Sequence, residues 1–326
     1  MAIPAERGRL SLDRGEVREV VAAVRLGNPR ALGRVISWIE NASPALPTIS
    51  KELAPDTGRA HIIGLTGAPG VGKSTTVTCL VRGLRACGER VGVLAVDPSS
   101  PFSGGALLGD RVRMQEHALD REVYIRSMAT RGHLGGLAVA TPQALRAFDA
   151  AGFDTVIVET VGVGQSELEV AEMVDTVLVL LAPGMGDGIQ AAKAGILEIG
   201  DIFTVNKSDR EGAQALVREL RTMIALANRS PQDWKPPIVT TVAHENRGIA
   251  ELLEVIDRFQ ASQAEKGRAG ARRIARARRE VENIALAKVR AEFQLDGEAR
   301  LEDLARAVSR GELDPYAAAD RVVIGL

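Results

Sequence analysis

The stretch 61-HIIGLTGAPGVGKSTTVTCLVRG-83 decides the fold. His61–Thr66 is an apolar, β-prone run. Glycines 67, 70 and 72 follow, and then a helix-forming segment opens at Lys73. Strand, glycine-rich loop and helix in that order form the context in which Gly67-x-x-x-x-Gly72-Lys73-Ser74 is a phosphate-binding loop. Glycines let the chain turn so that backbone N–H groups face a phosphate, and the helix N-terminus adds a favourable field for negative charge. Gly67, Ala68, Pro69, Gly70, Val71, Gly72, Lys73, Ser74 and Thr75 are the expected cradle. Lys73 is assigned to the β/γ oxygens, the Ser74 hydroxyl to Mg²⁺, and Thr75 to the α-phosphate side.

Working outward from the loop, strand and helix patterns alternate between residues 60 and 260. Strands are expected at 61–66, 91–96, 155–159, 176–181, 202–206 and 238–241, with a short further one at 124–127. Several are near-continuous Val/Ile/Leu runs, as in parallel strands buried on both faces. Helical spacing falls at 72–86, 142–150, 188–199, 213–227 and 249–259. The expectation is an α/β fold, a doubly wound, mostly parallel sheet of the P-loop GTPase kind. Residues 1–58 show two amphipathic helical patterns and then prolines 44, 47 and 55. Residues 261–326 read as a helical extension that begins with an arginine-rich run at 268–279. Three regions are therefore expected: 1–58, 59–260 and 261–326.

Composition limits the function classes. The chain has 326 residues, is 45% hydrophobic and 25% charged, and carries a net charge of −1, which gives no global pull toward nucleic acid or an anionic membrane. Residues 1–15 lack the apolar core of a secretory signal, and the run 174–183 is too short to cross a bilayer. A cytoplasmic protein is expected. Cys79 and Cys87 lie two turns apart on one helix, beyond disulfide reach, and read as small core or surface residues.

The base is indicated by Asn206-Lys207-Ser208-Asp209, an N-K-x-D sequence after a strand. A carboxylate at Asp209 can accept two hydrogens from guanine N1 and N2. Adenine would leave it desolvated and unpaired. Asn206 braces the loop and can reach the base edge, and the Lys207 stem packs along the base plane. The following strand leads into Val242, Ala243 and His244, whose backbone amides are assigned to the guanine O6 side. GTP and GDP are thus the expected nucleotides, with Mg²⁺.

Carboxylates at neighbouring strand ends supply the metal and hydrolysis candidates. Glu159-Thr-Val-Gly162 ends one strand. Glu159 is assigned to Mg²⁺ through water, and the Gly162 amide to the γ-phosphate. Asp97 ends the adjacent strand, and Asp110 follows it as a further metal ligand or water-orienting group. Hydrolysis that is slow alone and accelerated by a partner is the expectation.

Taken together, the segments GAPGVGKST, VDPSSPFSGGALLGDRVRM, IRSMATRGHLGG, ETVGVGQSE, APGMGDGIQAAKAGILEIGD, NKSD and DPYAAAD resemble the MeaB/ArgK GTPases, relatives of the human protein behind cobalamin A-type methylmalonic aciduria. The resemblance runs from about residue 27 to the end. It implies a SIMIBI-class homodimer whose C-terminal helical arm, 261–326, dimerises. It implies a chaperone that gates adenosylcobalamin loading and protects or reactivates an acyl-CoA mutase, usually methylmalonyl-CoA mutase, with a cobalamin adenosyltransferase as a second candidate partner. Direct binding of cobalamin, nucleic acid or membrane is not expected. Lys73, Asp110, Glu159 and Gly162 take the hydrolytic roles, and Gln190 and Lys193 match an additional switch; Gly188 stands where many relatives have an acid. The competing readings are a kinase of an amino-acid transport system and a metal-insertion GTPase. The resemblance turns the 268–279 arginines toward a protein interface or a solvated face.

Overall fold

The computed structural model describes residues 13–98, 115–117, 119–130, 136–160, 171–184, 198–226 and 233–323, with backbone alone at 97–98, 115, 129–130, 136–139, 290–300 and 322–323. The sequence-assigned residues Asp110, Gly162, Gln190 and Lys193 lie outside the described residues, as does the Asp97 side chain.

Seven parallel strands form one sheet: β1 (His61–Thr66), β2 (Val91–Pro98), β3 (Val123–Thr130), β4 (Thr155–Thr160), β5 (Thr176–Leu181), β6 (Ile202–Val205) and β7 (Ile238–Thr240). Their order is β3-β2-β4-β1-β5-β6-β7. β1 is central. The chain leaves it past the later position of β4, builds outward through β2 and β3, and returns to β4. It then continues through β5, β6 and β7 on the other side. The direction of winding reverses beside β1, and a crevice opens there at the carboxyl ends of the strands, where ligands bind in such sheets. β1 and β4 are buried at every position because helices cover both faces.

Among the described residues the helices are α1 (Arg14–Arg25), α2 (Pro29–Glu40), α3 (Leu46–Leu53), α4 (Lys73–Ala86), α5 (Gly136–Ala150), α6 (Ala213–Leu226), α7 (Ile249–Glu265), α8 (Arg268–Ser309) and α9 (Pro315–Val323). α4 and α7 cover one face, with Leu80, Val81, Leu252 and Phe259 packed on Ile63, Leu65 and Leu178. Gly83 makes the close approach of α4 and α7 possible, since a Cβ there would run into Leu253 Cδ1. α1, α2, α3, α5 and α6 cover the other face, and Val21, Leu32, Ile36 and Leu53 share one core with Val96, Phe148, Val156 and Phe203. Burying a Leu or Ile side chain of this kind stabilises by roughly 1.5–3 kcal/mol. That burial holds the N-terminal helices against the sheet.

Three local expectations are corrected. α3 forms where prolines 44, 47 and 55 suggest a break, because Pro47 sits in the first turn of a helix, where its missing N–H is no loss. α5 starts at Gly136, so Pro142 lies inside the helix and does not open it. β3 runs for eight residues, not four, along the register Val91↔Val123 to Pro98↔Thr130.

The arginine-rich run is partly exposed, yet most of its guanidinium groups are engaged within the chain. It forms the first turns of α8 and docks on the amino-terminal edge of the sheet. Arg272 makes a bidentate pair with Asp201, just before β6, at 2.8 and 3.0 Å. Arg276 meets the Met173 carbonyl at 3.0 Å and Asp175, just before β5, at 3.3 Å. Arg268 pairs with Asp233 at 2.8 Å, Arg279 with Glu172 at 3.0 Å, and Arg273 with the Gly58 carbonyl. Only Arg278 pairs along its own helix, with Glu282 at 3.0 Å. From α8, Glu280 receives Arg146 and Gln143 of α5, each at 2.6 Å. The receiving aspartates already serve the sheet: Asp175 accepts the Ile62 N–H at 3.0 Å and Asp201 the Val177 N–H at 2.9 Å.

Candidate functional site

Three loops meet at the carboxyl ends of β1, β6 and β7. The first, 67–72, turns from β1 into α4 with Gly67, Gly70 and Gly72 at positive φ (146°, 81° and 100°). Two of these glycines are also required by space. A Cβ on Gly67 would collide with the Leu180 carbonyl of β5, and one on Gly72 with the Asn206 amide nitrogen.

The second loop begins at Asn206, which is buried and joins all three. Its Nδ2 donates to the Val71 carbonyl of the phosphate loop at 2.8 Å. Its Oδ1 accepts the Thr241 hydroxyl at 3.1 Å and the Ala243 N–H at 3.0 Å, both on the third loop. Lys207 takes a left-handed φ of 56°, and its Nζ donates to the Gly70 carbonyl at 2.7 Å. The Ser208 N–H donates to the Thr241 carbonyl at 3.0 Å. Asp209 follows, exposed at the rim. On the third loop the Val242 N–H is engaged with the Arg247 carbonyl at 3.0 Å and the Ala243 N–H with Asn206, so of 242–244 two amides brace the loop. His244 is exposed.

Lys73 is buried, with Nζ 2.6 Å from the Gly67 carbonyl and 3.2 Å from that of Ala68. The ammonium therefore lies over the cradle that its own loop forms. Thr76 Oγ1 closes the first turn of α4 on the Gly72 carbonyl at 3.0 Å. Ser74 Oγ donates to Glu159 Oε1 at 2.7 Å, which brings these two metal candidates together across β1 and β4. The sheet register explains the meeting: Leu65, Glu159 and Ala95 stand in one row of β1, β4 and β2, so Asp97 stands two positions beyond the Glu159 row on β2. A hydroxyl and a carboxylate are hard oxygen donors that suit Mg²⁺, which is held by one or two carboxylates together with substrate phosphates. Glu159 is only 4% exposed, and a carboxylate so buried gains from a cation placed beside it.

Two contributors lay outside the sequence assignment. Thr241 is fully buried and holds the Asn206 amide. Cys79, one turn beyond Thr75 on α4, donates its Sγ–H to the Ala243 carbonyl at 3.0 Å. Burial pushes the Cys79 thiol above its ordinary pKa, and so it stays a donor. Neither residue type signals such a role, because their partners lie 35 and 164 positions away in the chain.

A family model described as methylmalonyl Co-A mutase-associated GTPase MeaB matches residues 32–297. A Pyrococcus horikoshii protein that carries a GTPase name is 45% identical over 309 residues, covering 94% of this chain and 97% of that protein. The GTPase ArgK of Escherichia coli is 36% identical over 264 residues, 79% of this chain and 80% of its own length. The mouse methylmalonic aciduria type A homolog, a mitochondrial protein, is 38% identical over 263 residues, 79% of this chain and 63% of its own length. The crystal structure of a LAO/AO transport system kinase superposes with a TM-score of 0.69 at 27% identity, covering 95% of this chain and 97% of that one.

Proposed function

This chain belongs to the MeaB family of methylmalonyl-CoA mutase-associated GTPases and is itself a GTPase, and from that premise we propose that its GTP hydrolysis gates adenosylcobalamin loading of an acyl-CoA mutase and protects or reactivates that enzyme. The observation that supports the nucleotide half is the Asn206 junction, which ties the phosphate loop to the loop bearing Asp209. The mutase half rests on the family match and on the name of the mouse relative. Methylmalonyl-CoA mutase is the leading partner.

In this reading the amides of 67–75 and Lys73 hold the phosphates, and Asp209 reads the guanine edge. Ser74, Asp97 and Asp110, with Glu159 through water, would hold Mg²⁺, and the bound ion would supply charge neutralisation at the phosphates. The protein's own contribution is positioning. The buried Lys73 ammonium and the α4 N-terminus supply fixed positive field, and the Gly162 amide, Gln190 and Lys193 respond to the γ-phosphate. Turnover is slow alone in this reading, and the mutase raises it. Residues 1–58 buttress the 59–260 nucleotide domain, and 261–326 form the arm of a homodimer in the cytoplasm.

The LAO/AO likeness favours one second reading, a kinase. Nucleotide choice separates the two. GTP is expected to bind at least about 100-fold tighter than ATP, because adenine leaves the Asp209 carboxylate unpaired. Equal affinities, or transfer of labelled phosphate to a protein acceptor in place of release as inorganic phosphate, would overturn the GTPase-chaperone reading.

A further inference from the structure

A cavity of about 200 Å³ opens at the amino-terminal edge of the sheet, the edge opposite the nucleotide crevice. Three elements wall it: the segment 57–62 that leads into β1, the helix α5, and the first turns of α8. Its floor is apolar, made by the buried side chains of Ala60, Ile62, Leu145 and Met173. Three guanidinium groups, those of Arg146, Arg273 and Arg276, stand around that floor. The carboxylates of Asp149, Glu280 and Asp175 balance them in number, but each is already committed. Asp149 accepts the N–H groups of Gly58, Arg59 and Ala60. Glu280 accepts Arg146 and Gln143, each at 2.6 Å. Asp175 accepts the Ile62 N–H and meets Arg276 at 3.3 Å. N–H donors are what remain in excess, since each guanidinium carries five of them. Arg273 is the least engaged of the three. Its Nη1 donates to the Gly58 carbonyl, whereas its Nε has no hydrogen-bond acceptor among the described residues. Asp175 Oδ1 stands 3.8 Å from that Nε, beyond hydrogen-bond range. A shielded N–H without an acceptor is unfavourable, so an added acceptor at this edge gains more than it would in water.

We propose that this cavity is a binding site for a compact organic carboxylate. The apolar body of the ligand covers the floor, and its carboxylate takes the Arg273 guanidinium, whose fork suits a planar pair of oxygens. The size fits, because a cavity of roughly 150 Å³ is enough for a benzene ring. Inorganic phosphate or sulfate fits less well, since it would leave the apolar floor uncovered. The site shares no residue with the nucleotide crevice and does not depend on the guanine reading. Its walls come from separate parts of the chain, so an occupant ties α8 to α5 and to the entrance of β1. The docking of α8 on the sheet then responds to the ligand.

The test uses the full-length protein. Benzoate, butyrate, their neutral amides benzamide and butyramide, and sulfate are titrated by ligand-observed NMR, and amide hydrogen exchange over 268–280 is recorded with and without benzoate. At least one of the two carboxylates is expected to bind with a Kd of about 1 mM or tighter. Its amide should be at least about tenfold weaker, because it lacks the charge-assisted bond, and sulfate equally so, because it lacks the apolar body. Exchange over 268–280 should slow when the site is filled. Two variants locate the site. Arg273→Gln removes the fork. Ala277→Leu adds bulk at an exposed position of the cavity wall and leaves every ion pair of α8 in place. Each should weaken the carboxylate at least about tenfold, while GDP affinity stays within about twofold because the two sites share no partner. Absence of carboxylate binding up to about 20 mM would overturn the inference. So would an amide or sulfate that binds as tightly as the carboxylate, unaltered exchange over 268–280, or undiminished binding in either variant.

Discussion

Ser74 and Glu159 belong to different elements and are 85 residues apart, yet they share a 2.7 Å hydrogen bond in the crevice. The pairing gives the Glu159 assignment a specific consequence. Glu159→Gln keeps an acceptor for the Ser74 hydroxyl and removes one charge from a buried position. Nucleotide binding, dominated by the phosphate loop, should change by no more than a few fold, whereas single-turnover hydrolysis should fall by about 100-fold, the usual effect of deleting one preorganised electrostatic group. An unchanged rate would remove Glu159 from the hydrolytic site. Among single residues, the glycine turns of the 67–72 loop and the bracing by Asn206 were legible. Gly67, Gly72, Lys73 and Asn206 lie in short motifs whose chemistry is local, because a backbone turn or one side chain performs each task. Thr241 and Cys79 were not legible, because a buried threonine and a small cysteine look alike in sequence whether they fill space or hold another group in place.

At the scale of elements, the parallel strands were legible from their apolar runs, because burial on both faces leaves no room for alternation. The docking of α8 was not. Six arginines in twelve residues look the same whether water or aspartates receive them, and their partners Asp175, Asp201 and Asp233 lie in other parts of the chain. The bidentate Arg272–Asp201 pair raises the Arg272 pKa, chiefly through its hydrogen bond, and Asp201 is nearly buried while Arg272 is partly exposed. Discounted for that exposure, Arg272→Ala should cost about 1–2 kcal/mol. A cycle with Asp201→Asn, followed by urea unfolding, should give a coupling of about 1 kcal/mol; additive effects would mean that the clamp does not hold α8 to the sheet. The same edge contains a pH-sensitive group. His61 opens β1 with its Nε2 2.8 Å from Thr176 Oγ1, and burial lowers its pKa below 6.5 against the opposing pull of Asp175. The unfolded chain therefore takes up a proton near pH 6.5 that the folded chain refuses. Stability from this group is complete above that pH and is lost as pH falls from 6.5 toward the lower folded value. Between pH 7.5 and 5.5, wild type should lose more stability in urea than His61→Gln, and parallel losses would contradict the assignment.

Across the whole molecule, the sheet separates two sets of contacts. At its carboxyl edge the loops after β1, β6 and β7 form the nucleotide crevice. At its amino edge α8 grips the entrances to β5 and β6, the strands that lead on to residues 182–197 and to Asn206. α8 is 42 residues long in all, and its Ile274, Val281, Leu286 and Val289 are exposed. In the proposed reading, a partner seated on this helix would be linked through these ion pairs to β5 and β6. The doubly wound α/β class of the fold and the nucleotide class were within reach of the sequence, since both follow from motif and periodicity; the order of the strands was not. The arm's attachment required the three-dimensional pairing of distant charges. The most direct test of the account is GTP turnover by the full-length protein, measured alone and with adenosylcobalamin-dependent acyl-CoA mutases, methylmalonyl-CoA mutase first. Turnover is predicted to be slow alone and to rise at least about tenfold with the cognate mutase, within the range over which partners accelerate slow GTPases. A rate that no such mutase alters would contradict it.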